Sequence, residues 1–499
     1  MAKRIVVIGA GPGGLATSML LASKGFEVDV YEKQLSVGGR NTALHLGEYT
    51  FDLGPTFLSM PHLVKELFAL VNRKTEDYMN LKELKDMYEL IFEDIKLMMT
   101  RDEHEMKKRI AERFPGNETG YSLFMKDNAK KLEVMTPILQ NPIDRLQDYL
   151  SLRVVKALPH LSLSKSLYDV LSGYFTDERL KFAFTFQAKY LGMSPWECPG
   201  AFSILSYMEH AYGIFHPIGG VNQLPKAMAK ITKEYGGRIH LGKGVKKLLL
   251  NGKRVQGILL ENGEEVMADE VVINADFAYA MKNFLDEGVL KKYSREKLER
   301  KKYSCSTFMI YAGINKQYDL PHHTIVFAND YKKNVEEITK KMILSADPSI
   351  YIQNASVTDH TLAPKGKSAL YILAPVPNNM SNIDWEDHKS KFRDLVLRII
   401  EERTDFKDLR EHIEIEKIVT PKNWEEDIFV YKGATFNLGH QLSQMMYLRP
   451  HNRFDELENC WLVGGGTHPG SGLPTILESA KITSKLIREK YKMEVTGSI

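Results

Sequence analysis

Cysteine is nearly absent, with three in 499 residues. Cys198, Cys305 and Cys460 stand far apart, matching neither a disulfide framework nor a thiolate metal site, so a reducing cytoplasm is the expected home. Charge of one sign is also scarce. The net value of +3, from 67 basic and 64 acidic residues, gives no reason to expect a nucleic-acid partner. Long apolar runs are missing too. Residues 5–23 follow Lys3 and Arg4 in the manner of a leader or a membrane span. Gly9, Gly11, Gly13 and Gly14 interrupt that stretch, however, and no other run approaches the roughly 20 residues a bilayer helix needs. The chain is therefore expected not to span a membrane. No repeat or low-complexity tract stands out, and no Ser/His/Asp, Cys/His or paired-carboxylate arrangement marks a hydrolase.

What is present fits a folded chain of two or more domains, 43% hydrophobic and 26% charged. Residues 4–8 are a β-branched run too short for a helix and typical of a buried parallel strand. Residues 13–24 read as a helix with Leu15, Met19 and Leu20 on one face, and 26–31 as a second strand, giving a βαβ unit. From 60 to 205 the pattern is of long mixed helical segments with few clear strands. Residues 222–234 are again helical. Strands at 245–250 and 255–260 meet at Asn251-Gly252, a strong hairpin signal, and Asn262-Gly263 turns the chain before 264–267 and a strand at 270–274. A second sheet is expected from 305–311, 324–327, 350–352 and 369–374. After Trp385, Phe392, Leu395, Val396, Ile399 and Ile400 recur at helical spacing. A strand at 461–463, a glycine-rich loop and a helix at 474–491 close the chain.

These elements predict an α/β fold. A Rossmann-like domain built from residues 1–85, 220–280 and 430–499 would receive an inserted α+β domain of residues 86–219 and 281–429.

Gly9-x-Gly11-x-x-Gly14 follows a strand and opens a helix, the context in which this spacing binds a dinucleotide. The first glycine permits the tight turn, the second admits a pyrophosphate to the backbone, and the third lets helix and strand pack closely. Pro12 and Gly13 complete the turn, whose helix N-terminus offers free amides and a positive dipole end. Glu32 ends the second strand where an acid can accept hydrogen bonds from a ribose and disfavours a 2′-phosphate; Lys33 follows it. Gly38-Gly39-Arg40 and Phe51-Asp52-Leu53-Gly54-Pro55 come next. Gly39 would let the chain pass close to a long ligand, and Arg40 would neutralise phosphate charge. At the other end, residues 462–474 run from a strand through Gly464, Gly465, Gly466, Gly470 and Gly472 into a helix that starts at Pro474. Two strand–loop–helix sites at opposite ends of one chain suit a ligand as long as FAD.

The N-terminal fingerprint, Gly38-Gly39-Arg40, the segment from Phe51 to Thr56 and Thr467-His468-Pro469-Gly470-Ser471-Gly472-Leu473-Pro474 together resemble the carotenoid and phytoene desaturases, within the amine-oxidase-like flavoproteins. Tyr303-Ser304-Cys305-Ser306, Asp347-Pro348-Ser349-Ile350-Tyr351 and Ser479-Ala480-Lys481-Ile482-Thr483 are most similar to the bacterial branch acting on C30 chains. The resemblance covers essentially the whole chain and is weakest between Leu150 and Ser172. It implies the two-dinucleotide-binding-domain fold, non-covalent FAD, a long polyene substrate, oxygen or a quinone as electron acceptor, and peripheral association with the inner face of the cell membrane. It further implies that backbone near Val245 meets the adenine side and that Gly466 and Thr467 meet the ribityl and phosphate side. Gly472 and Leu473, Pro474 and Thr475 would lie by the flavin ring.

Such chemistry asks the protein for orientation and dryness, because the flavin takes the hydride. His468 is the candidate proton handler, although a histidine in a glycine-rich turn more often fixes its loop. Phe182, Phe184, Phe186, Tyr190, Trp196, Phe202, Tyr207 and Phe215 would line an apolar channel or fill a core. Residues 150–171 mix Leu and Val with Arg153, Lys156 and Lys165, a composition suited to a bilayer surface, with Pro159 interrupting any helix. The alternatives are a terminal oxygenase, isomerase or saturase of the same family, an amine or porphyrinogen oxidase, and a flavin-free lipid-binding chaperone of the Rab-inhibitor type.

Overall fold

The computed structural model describes residues 2–493, with the Tyr190 side chain outside the described residues. A five-stranded parallel sheet anchors the nucleotide end, in the order Arg238–His240, Glu27–Tyr31, Arg4–Ile8, Glu270–Ile273, Cys460–Leu462. Residues 5–8 and 271–273 of its middle strands are apolar because both faces are covered. The helix Pro12–Ala22 is buried nearly all round, packed against the sheet and against helices Gln223–Glu234 and Leu473–Lys490. The first and last helices of the chain are therefore direct neighbours.

On the outer strand pair sits a charged knot. Asp29 is buried and receives Arg4, Arg238 and His240, the last at 2.8 Å. Burial pushes the Asp29 carboxyl up, but these hydrogen bonds outweigh it and hold it well below the usual carboxylate range. The hairpin Val245–Asn251/Arg254–Leu260, extended by Glu265–Met267, forms a small antiparallel sheet, with Asn251-Gly252 at its turn.

The other large layer is a seven-stranded sheet in the order Ile413–Val419, Ser306–Ile314, Ser368–Val376, Ile350–Asn354, His323–Val326, Asp86–Ile91, Lys96–Thr100. Side chains alternate across it. Phe308, Ile310, Ala312 and Ile314 pack under helix Trp385–Arg403, against Phe392, Val396, Ile399 and Ile400. Met309, Tyr311 and Tyr371 face Tyr49, Phe51 and Leu53 of the N-terminal motif.

One expectation needs correction. Residues 60–205 are not mainly helical at their start, since Leu81–Leu84, Asp86–Ile91 and Lys96–Thr100 are strands. Their mixed polarity hid a period of two, and sheet pairing overrode weak local propensity. The strand Ile413–Val419 was missed although Ile413, Glu414, Ile415 and Glu416 alternate as strand residues do. Residues 150–171 are broken into short helical turns, Leu152–Ala157, Leu158–His160 and Leu167–Ser172, in keeping with Pro159.

Candidate functional site

Two α-helices among the described residues begin from a glycine cap, with no side-chain cap. Pro12–Ala22 starts from Gly11 and Leu473–Lys490 from Gly472, and each has proline in its first turn. A glycine cap and a proline leave the remaining first-turn amides unclaimed, a ready anion site. The tightness of the first turn explains its glycines. A Cβ on Gly14 would lie 2.2 Å from Gly9 O, and one on Gly11 would meet Asn274 Nδ2 at 2.8 Å. Asn274, which sequence reading placed only as a strand end, fills the floor beneath Gly11, Gly13 and Gly14 and donates from Nδ2 to Gly9 O at 3.3 Å.

Glu32 is buried and accepts Ala10 N at 2.7 Å and Gln34 N at 2.8 Å, one on each oxygen. Burial pushes its carboxyl up, and bonds from Gln34, Ala10 and Lys33 amides oppose that. Each oxygen retains a lone pair for a ligand hydroxyl. The next strand returns to this point: Lys243 N donates to Glu32 O at 2.8 Å, bringing Val245 alongside. Lys33 behaves differently. Its amine pairs with Glu261 at 2.9 Å and lies 4.1 Å over the Phe429 ring, so its charge is already engaged at the surface.

Gly38 N bonds to Ala10 O, laying Gly39 across Gly11. A Cβ on Gly39 would come 3.5 Å from the Gly11 Cα. Arg40 donates to Thr435 O at 2.7 Å and stands 4.0 Å from the buried Asp276, with about a third of its side chain still accessible. The loop through Gly54 and Pro55 is held by three phenols from adjacent strands of the wide sheet. Tyr311 donates to Leu53 O, Tyr371 to Gly54 O at 2.8 Å, and Tyr351 lies 2.7 Å from Thr56 Oγ1. Nothing local announces them, since their partners are more than 250 residues away.

The C-terminal loop is fixed from below by Arg449, which is fully buried. It donates to Gly465 O at 2.6 Å and Thr467 O at 3.0 Å, with Leu438, Gly439 and Gln444 carbonyls around it. No carboxylate pairs with it among the described residues, and burial pulls its guanidinium down to about 9. Thr467 donates to Pro450 O at 2.6 Å. A Cβ on Gly466 would strike Phe277 Cβ at 2.6 Å. His468 is buried and precedes a cis Pro469. Its Nε2 is 2.9 Å from Asn141 O, its Nδ1 is buried without a protein partner, and burial takes it down to about 4. Leu473, Pro474 and Thr475 form the helix's opening turn. The Thr475 hydroxyl bonds back to Gly470, Ser471 and Gly472 carbonyls.

The two glycine-capped helix ends are neighbours, since side chains added at Gly13 and Gly464 would both meet Asn274 Oδ1 and one at Gly13 would also meet Ile476; a buried carboxylate with free lone pairs and a partly accessible arginine belong to the same N-terminal motif. The fit is to a dinucleotide. Of the aromatic stretch, Phe184 and Phe186 are core, while Phe182, Trp196, Phe202, Tyr207 and Phe215 are only partly buried; Tyr190 falls outside the described residues. No cluster of His, Cys, Asp or Glu suited to a metal exists among the described residues.

A family model described as flavin containing amine oxidoreductase matches residues 12–487. The chain is 49% identical to a 4,4′-diapophytoene desaturase (4,4′-diapolycopene-forming) of Methylomonas sp, over 98% of this chain and 96% of that protein. It is 36% identical to a zeta-carotene-forming phytoene desaturase of Myxococcus xanthus, over 97% and 93%. Among solved structures, an oxidoreductase from Methanosarcina mazei aligns over 97% of this chain and 100% of that one, with a TM-score of 0.64 at 17% identity, a likeness of fold alone.

Proposed function

The chain belongs to the flavin-containing amine oxidoreductase family and is an FAD-dependent oxidoreductase, and from that premise we propose that it desaturates a C30 carotenoid precursor, 4,4′-diapophytoene. The observation that carries this is the 49% identity to a 4,4′-diapophytoene desaturase along nearly the full length of both chains. Bound FAD supplies a two-electron acceptor, taking hydride from an allylic carbon and leaving a proton to be lost from its neighbour. Around it, the amides of Gly11, Gly13 and Gly14 would hold the pyrophosphate, Glu32 would take the ribose, and the backbone at Val245 would border the adenine. Gly39 and Arg40 would serve the phosphates, with Gly54 and Pro55 beyond. Gly466 and Thr467 would meet the ribityl chain, and Gly472, Leu473, Pro474 and Thr475 the ring. The conjugated chain stabilises its own allylic cation, which accords with a site that lacks a strong acid–base dyad.

The polyene is too apolar to travel through water, so the protein docks on the inner face of the cell membrane and passes its electrons to oxygen or a quinone. Supporting this, Leu146, Leu150, Leu152, Val155, Leu158 and Leu163 are all exposed within one stretch, Leu150 at 80% and Leu152 at 67%. Arg145, Lys156 and Lys165 are exposed beside them. Contiguous exposed apolar side chains of this kind mark an interaction surface, and basic neighbours favour anionic lipid. No helix among the described residues is long and apolar enough to cross a membrane.

Expression in cells that make 4,4′-diapophytoene, followed by absorption spectra of extracted pigment, tests the reaction. New long-wavelength bands with vibronic structure are expected, and their positions count the double bonds. Unchanged pigment from cells full of yellow protein would move the assignment to a later oxidation or an isomerisation.

A further inference from the structure

Behind the loop that carries Gly54 and Pro55 lies a buried polar cluster that cofactor binding does not use. Thr56 Oγ1 is 2.7 Å from the Tyr351 hydroxyl, which is 2.8 Å from His323 Nδ1. His323, 1% exposed, meets the ring of His322 edge-on with centroids 4.3 Å apart, and His322 faces His216 at 4.8 Å. His216, fully buried, places Nε2 3.0 Å from Asp359 Oδ2. Asp359 also accepts the Gly219 and Thr361 amides and the Thr361 hydroxyl, and the adjoining His360 and Thr361 are exposed. The polar chain thus leads from a motif loop to a surface turn.

Hydrogen-bond accounting gives the cluster a direction. His216 Nε2 lies against the Asp359 carboxylate, and in the tautomer protonated there Nδ1 is a lone pair. With Thr56 donating to Tyr351 and Tyr351 to His323 Nδ1, the proton of His323 sits on Nε2. Both His323 Nε2 and His216 Nδ1 are buried without a protein partner. The ring between them is engaged, His322 Nδ1 with Thr358 Oγ1 at 2.8 Å and Nε2 near Gln353 at 3.4 Å. One unpaired donor and one unpaired acceptor in a single cluster are complementary. Leaving both dry is expensive, and a buried water with two or more polar partners is the common remedy. Burial pushes His322 and His323 well below the ordinary imidazole range. Burial also works to raise Asp359, but its hydrogen bonds from His216, Thr361 and Gly219 prevail and keep it ionised.

We propose that a water bridging His323 Nε2 and His216 Nδ1 completes a proton relay, Thr56–Tyr351–His323–His216–Asp359, that carries the proton lost at each desaturation to the surface turn at His360. The relay rests on the desaturase reading only for the source of that proton. Each new double bond removes a hydride and a proton from the substrate; the electron pair goes to FAD, and the relay moves the proton. Thr56 oxygen accepts it as its own hydroxyl proton passes to Tyr351, and the Tyr351 proton passes to His323 Nδ1. His323 Nε2 then gives its proton to the water, the water to His216 Nδ1, and His216 Nε2 to Asp359, which is buried and, as a weak base, passes it on at once beside the exposed His360 and Thr361. Only O–H and N–H bonds form and break.

The first test needs no substrate. Nitrogen-15 NMR of histidine-labelled, FAD-loaded protein, assigned with His216→Phe and His323→Phe, should show both histidines neutral and protonated on Nε2. A high-resolution crystal structure should place one water within about 3.2 Å of both nitrogens. Opposite tautomers without a shared water would overturn the relay. The second test follows bleaching of the flavin in a single turnover on liposomes containing 4,4′-diapophytoene, in H2O and D2O. Tyr351→Phe and His323→Gln, with full FAD content, should slow bleaching about tenfold and enlarge the solvent isotope effect. Unchanged rate and isotope effect would sink the proposal. If the variants lose FAD, or the wild type ignores this substrate, the NMR and crystallographic result decides the relay separately from the substrate.

Discussion

Residues 4–32 and residues 146–163 treat their apolar side chains in opposite ways. In the first, Ile5, Val6, Val7, Leu15, Met19, Val28 and Val30 are buried almost completely, and each glycine sits where a side chain would collide or strain. In the second, six large apolar side chains face water across a string of short helical turns. Covered on both sides, the first stretch satisfies itself, and its conformation is dictated by neighbours within the chain. The second carries an apolar surface that nothing among the described residues covers, so its composition answers to something outside the chain. The same residue types thus report stability in one place and an interaction in the other.

The sharpest way to break this contrast is to add atoms where the first region has no room. Gly14→Val sets a side chain against Gly9 O, and it should cost about 3 kcal/mol or more and yield colourless protein. Flavin absorbance per polypeptide and a melting curve measure both; a yellow, stable variant would contradict the close packing. Next in size is Asp29→Asn, which removes a buried anion from Arg4, Arg238 and His240 and should cost about 2–3 kcal/mol near pH 7. The folded-state pKa of Asp29 lies below the unfolded value of about 3.9. Its contribution is therefore complete above about pH 4 and is lost as pH falls further, so the deficit of the variant should shrink in acid. Urea titrations at pH 7 and pH 3 compare the two. His468→Ala should cost about 1–2 kcal/mol through the lost bond to Asn141 O, with flavin content kept and turnover within about threefold; a hundredfold loss of turnover would restore His468 as a proton handler. The smallest stability effect belongs to the second region. Leu150→Gln with Leu152→Gln should shift unfolding by no more than about 0.5 kcal/mol, yet weaken sedimentation with anionic liposomes at least tenfold. Unaltered liposome binding would detach the exposed patch from the membrane.

How much could be read in advance follows the same divide. The βαβ unit, the Asn251-Gly252 hairpin, the helix after Trp385 and the closing loop were legible because local signals, such as glycine spacing, turn dipeptides and helical periodicity, agree there with the tertiary structure. The strand Asp86–Ile91 was not, because its mixed polar and apolar residues become a strand only once a distant neighbour pairs with them; Ile413–Val419 carried its signal in the alternation Ile413, Glu414, Ile415, Glu416 and was overlooked. In the site, Gly9, Gly11, Gly14 and Glu32 carry their chemistry in their spacing. Asn274, Arg449, Tyr311 and Tyr371 do not: each acts by reaching backbone remote in sequence or on a loop whose path the sequence leaves open. Lys33 differs from Glu32 in that its amine is paired with Glu261 at the surface, a partner 228 residues away that its own neighbourhood does not announce.

The parallel sheet has a temporal consequence. Its first two strands are made more than 400 residues before the strand Cys460–Leu462 and the helix that packs on Pro12–Ala22. At the usual pace of translation that interval is about 25–90 s, during which the N-terminal strands have a missing neighbour and a bare helix face. The nucleotide end is therefore incomplete for most of that time, and the growing chain depends for that interval on whatever shields apolar surface in the cell.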